Sequence, residues 1–143
     1  MFNDKSVLDR IVFMSYCNTY YENLDAYNNL DIALDTFPYS GTTTTCEAMY
    51  MGVPVITLFD NKNNYHVHNV SSSIMINSGM PEYVCMTEDE YIEKVVYYAN
   101  NLEELRGLKQ KVQKKFIDTI CNYPRFTNEF EDKLLKIYRE HQW

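Results

Sequence analysis

The middle of this 143-residue chain constrains the fold more than any other part of the sequence. An apolar run ends in an acidic residue at Asp35, a turn follows through Gly41, and four threonines at positions 42–45 open a predicted helix that ends at Gly52. Residues 55–59 then have the apolar pattern of a buried strand. Strand, turn, helix and strand in this order form a βαβ unit, whose ligands bind beyond the carboxyl ends of the strands.

The threonine run is typical of an anion site. The first amides of a helix lack intrahelical acceptors, and the macrodipole places roughly half a positive charge there, so amides and hydroxyls at this point can hold a phosphate. Threonine is also an ordinary N-cap residue, and spacing alone supports a purely local role equally well. The pattern that follows the run favours the phosphate site, because it completes a βαβ unit.

The α/β part is predicted to cover about residues 9–86. Its other elements, in chain order, are a strand at 10–14, a helix at 20–30, a strand at 31–35, a helix at 66–76 closed by Gly79, and a short strand at 80–85. Parallel strands covered on both faces account for the nearly unbroken apolar interiors of these runs.

The helical part is predicted to cover about residues 87–143. Thr87 and Glu90 form a capping box, and Asn128 with Glu131 suggests a second one that would begin the final helix. An apolar stripe at helical spacing comprises Leu105, Leu108, Val112, Phe116 and Ile120. The lysines at 109, 111, 114 and 115 lie on its other side and are interpreted as a solvated face.

Composition excludes some classes of function. The net charge of −7 argues against a general nucleic-acid binder, which needs a basic face. The longest apolar runs are too short to span a bilayer, so no membrane partner and a cytoplasmic or nucleocytoplasmic location are expected. The four cysteines form no Cys-x-x-Cys pair and are interpreted as free, mostly buried thiols, and His66 with His68 is weak support for a metal site.

Residues 35–57, DTFPYSGTTTTCEAMYMGVPVIT, closely resemble the C-terminal part of the catalytic region of protein O-GlcNAc transferases and their SPINDLY-like relatives, glycosyltransferase family 41. The resemblance extends over residues 9–15, 21–57, 66–75 and the closing helices. It implies an α/β fold: one partial domain, the C-terminal half of a GT-B fold, with a Rossmann-like parallel sheet that lacks its first strands. The C-terminal helices follow that sheet.

The resemblance also implies a binding role for individual residues. Thr42, Thr43 and Thr44 correspond to positions that contact the diphosphate of the sugar nucleotide, and Glu47 corresponds to an acidic residue that binds the ribose hydroxyls. His66, His68 and Asn69 belong to a segment that borders the donor site, with surface or second-layer packing an equally supported role for the histidines. Tyr20 and Asn23 flank the nucleoside, although Asn23 stands where many relatives have a histidine. No metal or other cofactor is expected.

The implied function is donor binding. The chain would hold UDP-GlcNAc, or another sugar nucleotide in a fucose-using relative, and the intact enzyme would transfer the sugar to serine or threonine of a protein acceptor. The family's diphosphate-binding lysine and active-site histidines lie upstream of the matched segment, so no catalytic residue is expected here and the chain alone is expected to be inactive. The alternative is a non-catalytic, truncated remnant that serves as a nucleotide-binding or interaction module.

Strand order gives a structural expectation. In the order 3-2-1-4-5-6, residues 11–14 correspond to strand 3 and residues 32–35 to strand 4, and the two strands that should separate them are absent from the matched segment. Either residues 11–14 move onto a new neighbour, or a partner covers the exposed sheet edge. That partner would be the family's upstream half or a second copy of the chain.

Overall fold

The computed structural model describes residues 5–63 and 65–141. Within these ranges the α-helices and strands are α1 Lys5–Leu8, α2 Tyr20–Ala26, β1 Ala33–Leu34, α3 Thr43–Tyr50, β2 Val55–Leu58, α4 Val70–Asn77, β3 Val84–Cys85, α5 Glu88–Asn100, α6 Leu102–Thr119 and α7 Tyr123–Glu140. Single 3₁₀ turns lie at Tyr27–Asn29, His66–His68 and Pro81–Tyr83. The alternation of strands and helices gives way to consecutive helices after β3, as the sequence predicts.

The sheet is parallel throughout, with the order β1-β2-β3. Ala33 pairs with Val55, and Thr57 pairs with Val84. The central strand β2 is buried over its first three residues, which agrees with the apolar pattern of a strand covered on both faces. An α/β fold with a partial Rossmann-like sheet is therefore confirmed.

The core lies between this sheet and the helices that follow it. Its largest fully buried side chains include Met49 of α3, Ile56 of β2, Met75 of α4 and Leu105 of α6. Gly52, which ends α3, has a φ of +79°, and a Cβ there would lie 2.7 Å from the carbonyl oxygen of Lys109. Glycine is needed at this position both for its backbone conformation and for the close approach of α6.

The predicted strand at residues 10–14 is wrong. Within the described part of the chain these residues belong to no strand, and the side chains of Val12 and Phe13 are 85% and 91% exposed. The segment therefore does not pack on a new neighbour either. An apolar run becomes a strand only when another strand completes its hydrogen bonds, and no described strand pairs with the outer edge of β1.

Helix starts were predicted with mixed success. At α5 the Thr87 cap is confirmed, because the Thr87 hydroxyl accepts from the amide of Glu90 at 3.1 Å. The other half of the predicted capping box is wrong, because the Glu90 carboxylate accepts from the amide of Met86 rather than that of Thr87. The predicted start of the last helix at Asn128 is wrong. The helix begins one and a half turns earlier, because Asn122 accepts from the amide of Arg125 and Pro124 occupies the first turn.

Three smaller expectations change. The predicted helix at 66–76 is divided, with a 3₁₀ turn before α4 begins at Val70. Lys109 is not simply solvated, since its ammonium donates to the carbonyl of Leu30 at 2.8 Å, and Lys115 donates to the carbonyl of Gly79. The cysteines are free as predicted, but only Cys85 is buried; Cys17 and Cys46 are half-buried and Cys121 is exposed.

Candidate phosphate and ribose site

The N-terminus of α3 follows the carboxyl end of β1 and faces solvent. Thr42 is the N-cap residue, and its hydroxyl makes no capping bond to any described residue. Thr42, Thr43 and Thr44 are all exposed, whereas Thr45 is buried. The first-turn amides of a helix have no intrahelical acceptor, so this end of α3 presents both amides and hydroxyls to an incoming anion.

Asp35 holds the turn that leads into α3. One carboxylate oxygen accepts from the amide of Gly41 at 2.7 Å, and the other accepts from the hydroxyl of Thr57 at 2.8 Å. The backbone carbonyl of Asp35 also accepts from the phenol of Tyr91 at 3.0 Å. The acidic residue at the end of β1 thus fixes the path of the loop and occupies both of its oxygens in doing so.

Buried hydroxyls connect the same loop to α4. The Ser71 hydroxyl donates to the carbonyl of Gly41 at 2.9 Å, so the 2.7 Å contact between Thr45 and Ser71 is one in which Thr45 donates. The Ser40 hydroxyl accepts from the amide of Val70 at 3.1 Å and donates to the carbonyl of Val67 at 3.0 Å. Thr45 therefore faces inward and holds the loop, which separates its role from that of the three threonines before it.

Glu47 lies one turn into α3 and is half-buried. Its Oε2 accepts from the side-chain amide of Asn23 at 3.3 Å and from the phenol of Tyr27 at 3.2 Å. Burial, followed by the charge of Glu47 and this hydrogen bond, raises the pKa of Tyr27 to about 12, so the phenol keeps its proton and remains the donor at neutral pH. Because both bonds reach Oε2, the carboxylate retains acceptor capacity on Oε1.

The two residues expected to flank a nucleoside line one open cleft. Tyr20 is 61% exposed, and its ring meets the edge of Tyr21 at a centroid distance of 6.5 Å. Tyr20 and Asn23 both line a cleft of about 570 Å³ that also includes Cys17 and Tyr27. Through Asn23 this cleft adjoins Glu47, so α2 carries residues toward the start of α3.

The turn at His66–His68 is held by Asp60. His68 Nδ1 lies 2.6 Å from Asp60 Oδ2, and the hydrogen bond to His68, followed by the amide of Lys62, holds the pKa of the buried Asp60 carboxyl well below its ordinary value. The His68 ring also meets the edges of Tyr65 and Phe37. His68 is thereby engaged in the loop rather than directed at a free anion.

Asn69 is also held within this loop, whereas His66 is exposed. The Asn69 side chain accepts from the amide of Asp60 at 2.8 Å and donates to its carbonyl at 2.9 Å, so it fastens the two ends of the loop together. His66 is exposed and lines a shallow cavity of about 390 Å³. The segment reaches the α3 loop through Ser40, whose amide donates to the carbonyl of Val67 at 2.9 Å.

Several residues that shape the site are absent from the sequence-based set. Tyr27 lies within the predicted helix at residues 20–30, and its phenol donates to Glu47. Ser40 and Ser71 gave no recognisable signal, because their partners are distant in sequence. Asp35 was noticeable as an acidic residue at a strand end. Across residues 5–63 and 65–141, no three His, Cys, Asp or Glu side chains are grouped so that they could hold a metal ion.

None of the helices in the described ranges combines the length and apolar character needed to cross a membrane.

The site itself is built from exposed hydroxyls, helix amides and one half-buried carboxylate. Hydroxyls and helix amides of this kind can donate to a phosphate, and a carboxylate can accept from the hydroxyls of a diol.

Comparison with known proteins finds relatives in plants and a similar bacterial structure. The probable UDP-N-acetylglucosamine–peptide N-acetylglucosaminyltransferase SPINDLY of Solanum lycopersicum is 35% identical over 122 residues, which are 85% of this chain and 13% of that protein. The Hordeum vulgare protein of the same description is 33% identical over 133 residues, 92% of this chain and 14% of that protein. A mutant of the Thermobaculum terrenum O-GlcNAc transferase superposes with a TM-score of 0.76 at 33% identity, covering 85% of this chain and 23% of that one.

The chain thus spans about one seventh of the length of these curated relatives. The sequence model of glycosyl transferase family 41 matches residues 3–129, which is most of the chain. On the strength of that match and of the identity to its relatives, the chain belongs to glycosyltransferase family 41.

Proposed function

We propose that this chain binds the diphosphate and ribose of UDP-GlcNAc, as the donor-binding part of a glycosyltransferase similar to protein O-GlcNAc transferase. One observation carries the proposal. Thr42, Thr43 and Thr44 are exposed at the start of α3, and Glu47 lies one turn further along the same helix. An anion site and a diol acceptor therefore share one rigid element.

The spacing along α3 suits the order of groups in a nucleoside diphosphate. From Thr43 to Glu47 the helix rises about 6 Å, at 1.5 Å per residue. The phosphates would lie beyond the helix terminus, where the macrodipole favours negative charge, while the ribose hydroxyls would donate to Glu47. Tyr20 and Asn23 line the neighbouring cleft and would flank the base.

Binding of the diphosphate is proposed to need no metal, since amides and hydroxyls of α3 supply the donors. The names of the plant relatives describe transfer of N-acetylglucosamine to a peptide by those proteins. We propose that in the intact enzyme the sugar passes likewise to an acceptor protein, on a serine or threonine. The four free cysteines support a reducing, cytoplasmic or nucleocytoplasmic setting for this reaction.

Titration calorimetry with UDP tests the proposal directly. Thr43→Ala should weaken binding roughly tenfold, because a hydrogen bond to a charged group contributes about 1.5–3 kcal/mol. Thr127→Ala is the matched control, since it removes an exposed threonine hydroxyl from α7. Parallel titration with GDP separates recognition of uracil from recognition of the diphosphate. No heat at millimolar UDP, or an equal loss in both variants, refutes the assignment.

The second candidate is a nucleotide-binding or interaction module without catalysis. The exposed apolar segment at residues 11–14 and the bare edge of β1 favour it, because such surfaces are normally covered by another polypeptide. The distinguishing assay mixes the chain with a separately expressed upstream half of a family 41 enzyme and follows release of UDP from UDP-GlcNAc. Turnover by the mixture contradicts this candidate, whereas UDP binding by the chain with no turnover in the mixture supports it.

A further inference from the structure

Glu47 is held through one of its two carboxylate oxygens. The side-chain amide of Asn23 and the phenol of Tyr27 both donate to Oε2, at 3.3 and 3.2 Å. Across residues 5–63 and 65–141 these are the donors to Glu47, and neither of them reaches Oε1. A carboxylate oxygen has about two acceptor sites, so Oε2 is fully engaged while Oε1 can accept from a ligand.

The phenol of Tyr27 contacts two turns of α3. Tyr27 is the first residue of the 3₁₀ turn after α2, and its ring packs against the buried core. Besides its bond to Glu47, the phenol lies 3.4 Å from the carbonyl oxygen of Thr44. One side chain from outside α3 therefore connects the turn that carries the exposed threonines with the carboxylate of the next turn.

The other donor, Asn23, lies on a helix whose start is itself fixed. The Thr19 hydroxyl accepts from the amide of Glu22 at 3.2 Å, and the Glu22 carboxylate accepts from the amide of Asn18 at 2.8 Å. These two bonds cap the first turn of α2 and restrain the residue before the cap. Asn23 belongs to the next turn, so its amide reaches Glu47 from a helix with a defined position.

This anchoring has a physical effect on any diol that Glu47 binds. A glutamate without partners on a helix surface occupies several rotamers, and a ligand that needs one of them must order the side chain. Two protein donors on Oε2 restrict these rotamers, so the ligand need not supply that ordering. With Oε2 engaged, the hydroxyls of a ribose would be recognised through Oε1.

We infer that Tyr27 is a positioning residue, which holds Glu47 so that its Oε1 accepts from the ribose and the site distinguishes a ribonucleotide from its deoxy analogue. The inference rests on the proposed function, because it takes Glu47 as the ribose acceptor. Tyr27 acts through Glu47, since the single proton of its phenol is already donated. Ribose recognition then depends on a side chain outside the helix that carries the site.

Calorimetry with UDP and with 2′,3′-dideoxy-UDP measures the contribution of the ribose hydroxyls. The parent chain should bind UDP roughly tenfold more tightly than the dideoxy analogue. Tyr27→Phe removes only the phenol oxygen, and it should lower the affinity for UDP about fivefold while changing the affinity for the analogue less than about twofold.

Tyr97→Phe is the matched control. The phenol of Tyr97 on α5 also donates to a carboxylate, that of Glu104 on α6, at 2.8 Å. Its removal should leave the affinities for UDP and for the analogue within about twofold of the parent values. Circular dichroism melts of both variants check the fold, and titration with inorganic pyrophosphate checks that the α3 terminus is retained.

A double-mutant cycle connects the effect to Glu47. In a Glu47→Gln background, Tyr27→Phe should lower the affinity for UDP by less than about twofold, because the carboxylate that the phenol positions has been removed. A phenol that only supports the fold would weaken UDP and the dideoxy analogue equally, and would do so in both backgrounds. That result overturns the inference.

The parent chain and the variant separate this inference from the proposed function. A parent chain that does not bind UDP, or binds UDP and the analogue equally, refutes the assignment of Glu47 to the ribose and the role of Tyr27 with it. A preference for UDP that is unchanged in Tyr27→Phe overturns the role of Tyr27 alone. Loss of the preference in Tyr27→Phe, but not in Tyr97→Phe, supports both.

Discussion

Replacing Gly41 by alanine probes the loop that orients the α3 terminus. A Cβ at this position would lie 2.6 Å from the hydroxyl oxygen of Thr45 and 2.8 Å from that of Thr44. Contacts below 3.0 Å require a neighbour to move. Thr44 is exposed and can rotate, but Thr45 is 3% exposed and donates its hydroxyl to Ser71. The alanine methyl therefore breaks the Thr45–Ser71 hydrogen bond.

The magnitude follows from that bond. Leaving a buried hydroxyl unsatisfied costs about 1–3 kcal/mol, and the reduced freedom of alanine in the unfolded chain returns about 0.4–1 kcal/mol. We expect a net loss of about 1–2 kcal/mol in the free energy of unfolding. For a chain of this size that lowers Tm by about 3–8 °C. The displaced Gly41 amide would also disturb its bond to Asp35, so the affinity for UDP should fall with stability.

Thermal unfolding followed by circular dichroism measures the first effect, and calorimetry with UDP measures the second. Gly107→Ala is the matched control: Gly107 lies within α6, and a Cβ there would meet nothing within 4 Å. This control should raise stability by about 0.5–1 kcal/mol, because alanine is the better helix former. If Gly41→Ala is as stable as the parent chain and binds UDP equally well, the close-contact reasoning is refuted.

Two further predictions concern carboxylates. Glu47→Gln should lower the affinity for UDP roughly tenfold but leave the affinity for inorganic pyrophosphate nearly unchanged, because Glu47 is assigned to the ribose. Calorimetry with both ligands measures the two affinities. Equal losses of affinity for the two ligands would contradict the assignment. The pKa of the Asp60 carboxyl is lower in the folded chain than in the unfolded chain, where it has its ordinary value of about 4. The ionised carboxylate therefore stabilises the fold above about pH 4, and this stabilisation is lost as the pH falls below that value. Urea midpoints from about pH 5 down to about pH 2.5 should therefore fall more steeply for the parent chain than for Asp60→Asn, and parallel curves would contradict the role given to His68.

Local signals were sufficient for the central βαβ unit. Gly52 adopts the positive φ that a helix-ending glycine was predicted to have, and Thr87 caps α5 as its spacing with Glu90 predicted. These features depend on residues three to four positions apart, so a single sequence contains them. The start of α7 was mistaken because the prediction relied on Asn128 with Glu131, although Pro124 is the stronger signal for a first helical turn and Asn122 caps it.

Features that depend on distant partners could not be predicted in this way. Val12 and Phe13 have strand-type chemistry but form no strand, since pairing is a property of two segments and not of one. Exposure of Thr42–Thr44 at a helix start was predictable from the pattern, whereas the inward role of Thr45 depends on Ser71. Likewise, Asn23 of α2 and Tyr27 of the 3₁₀ turn after it both donate to Glu47, which lies 20 or more residues further along the chain.

The hydroxyl contacts behind the α3 loop have a consequence for the thermodynamics of binding. Hydrogen bonds from Ser40, Ser71 and the Asp35 carboxylate fix the loop through the protein's own groups, so a phosphate that binds there need not order it. Binding of a phosphate then avoids the conformational entropy cost of ordering a flexible glycine-rich loop. If the proposed nucleotide binds here, neither its binding nor its release requires the backbone of this loop to rearrange.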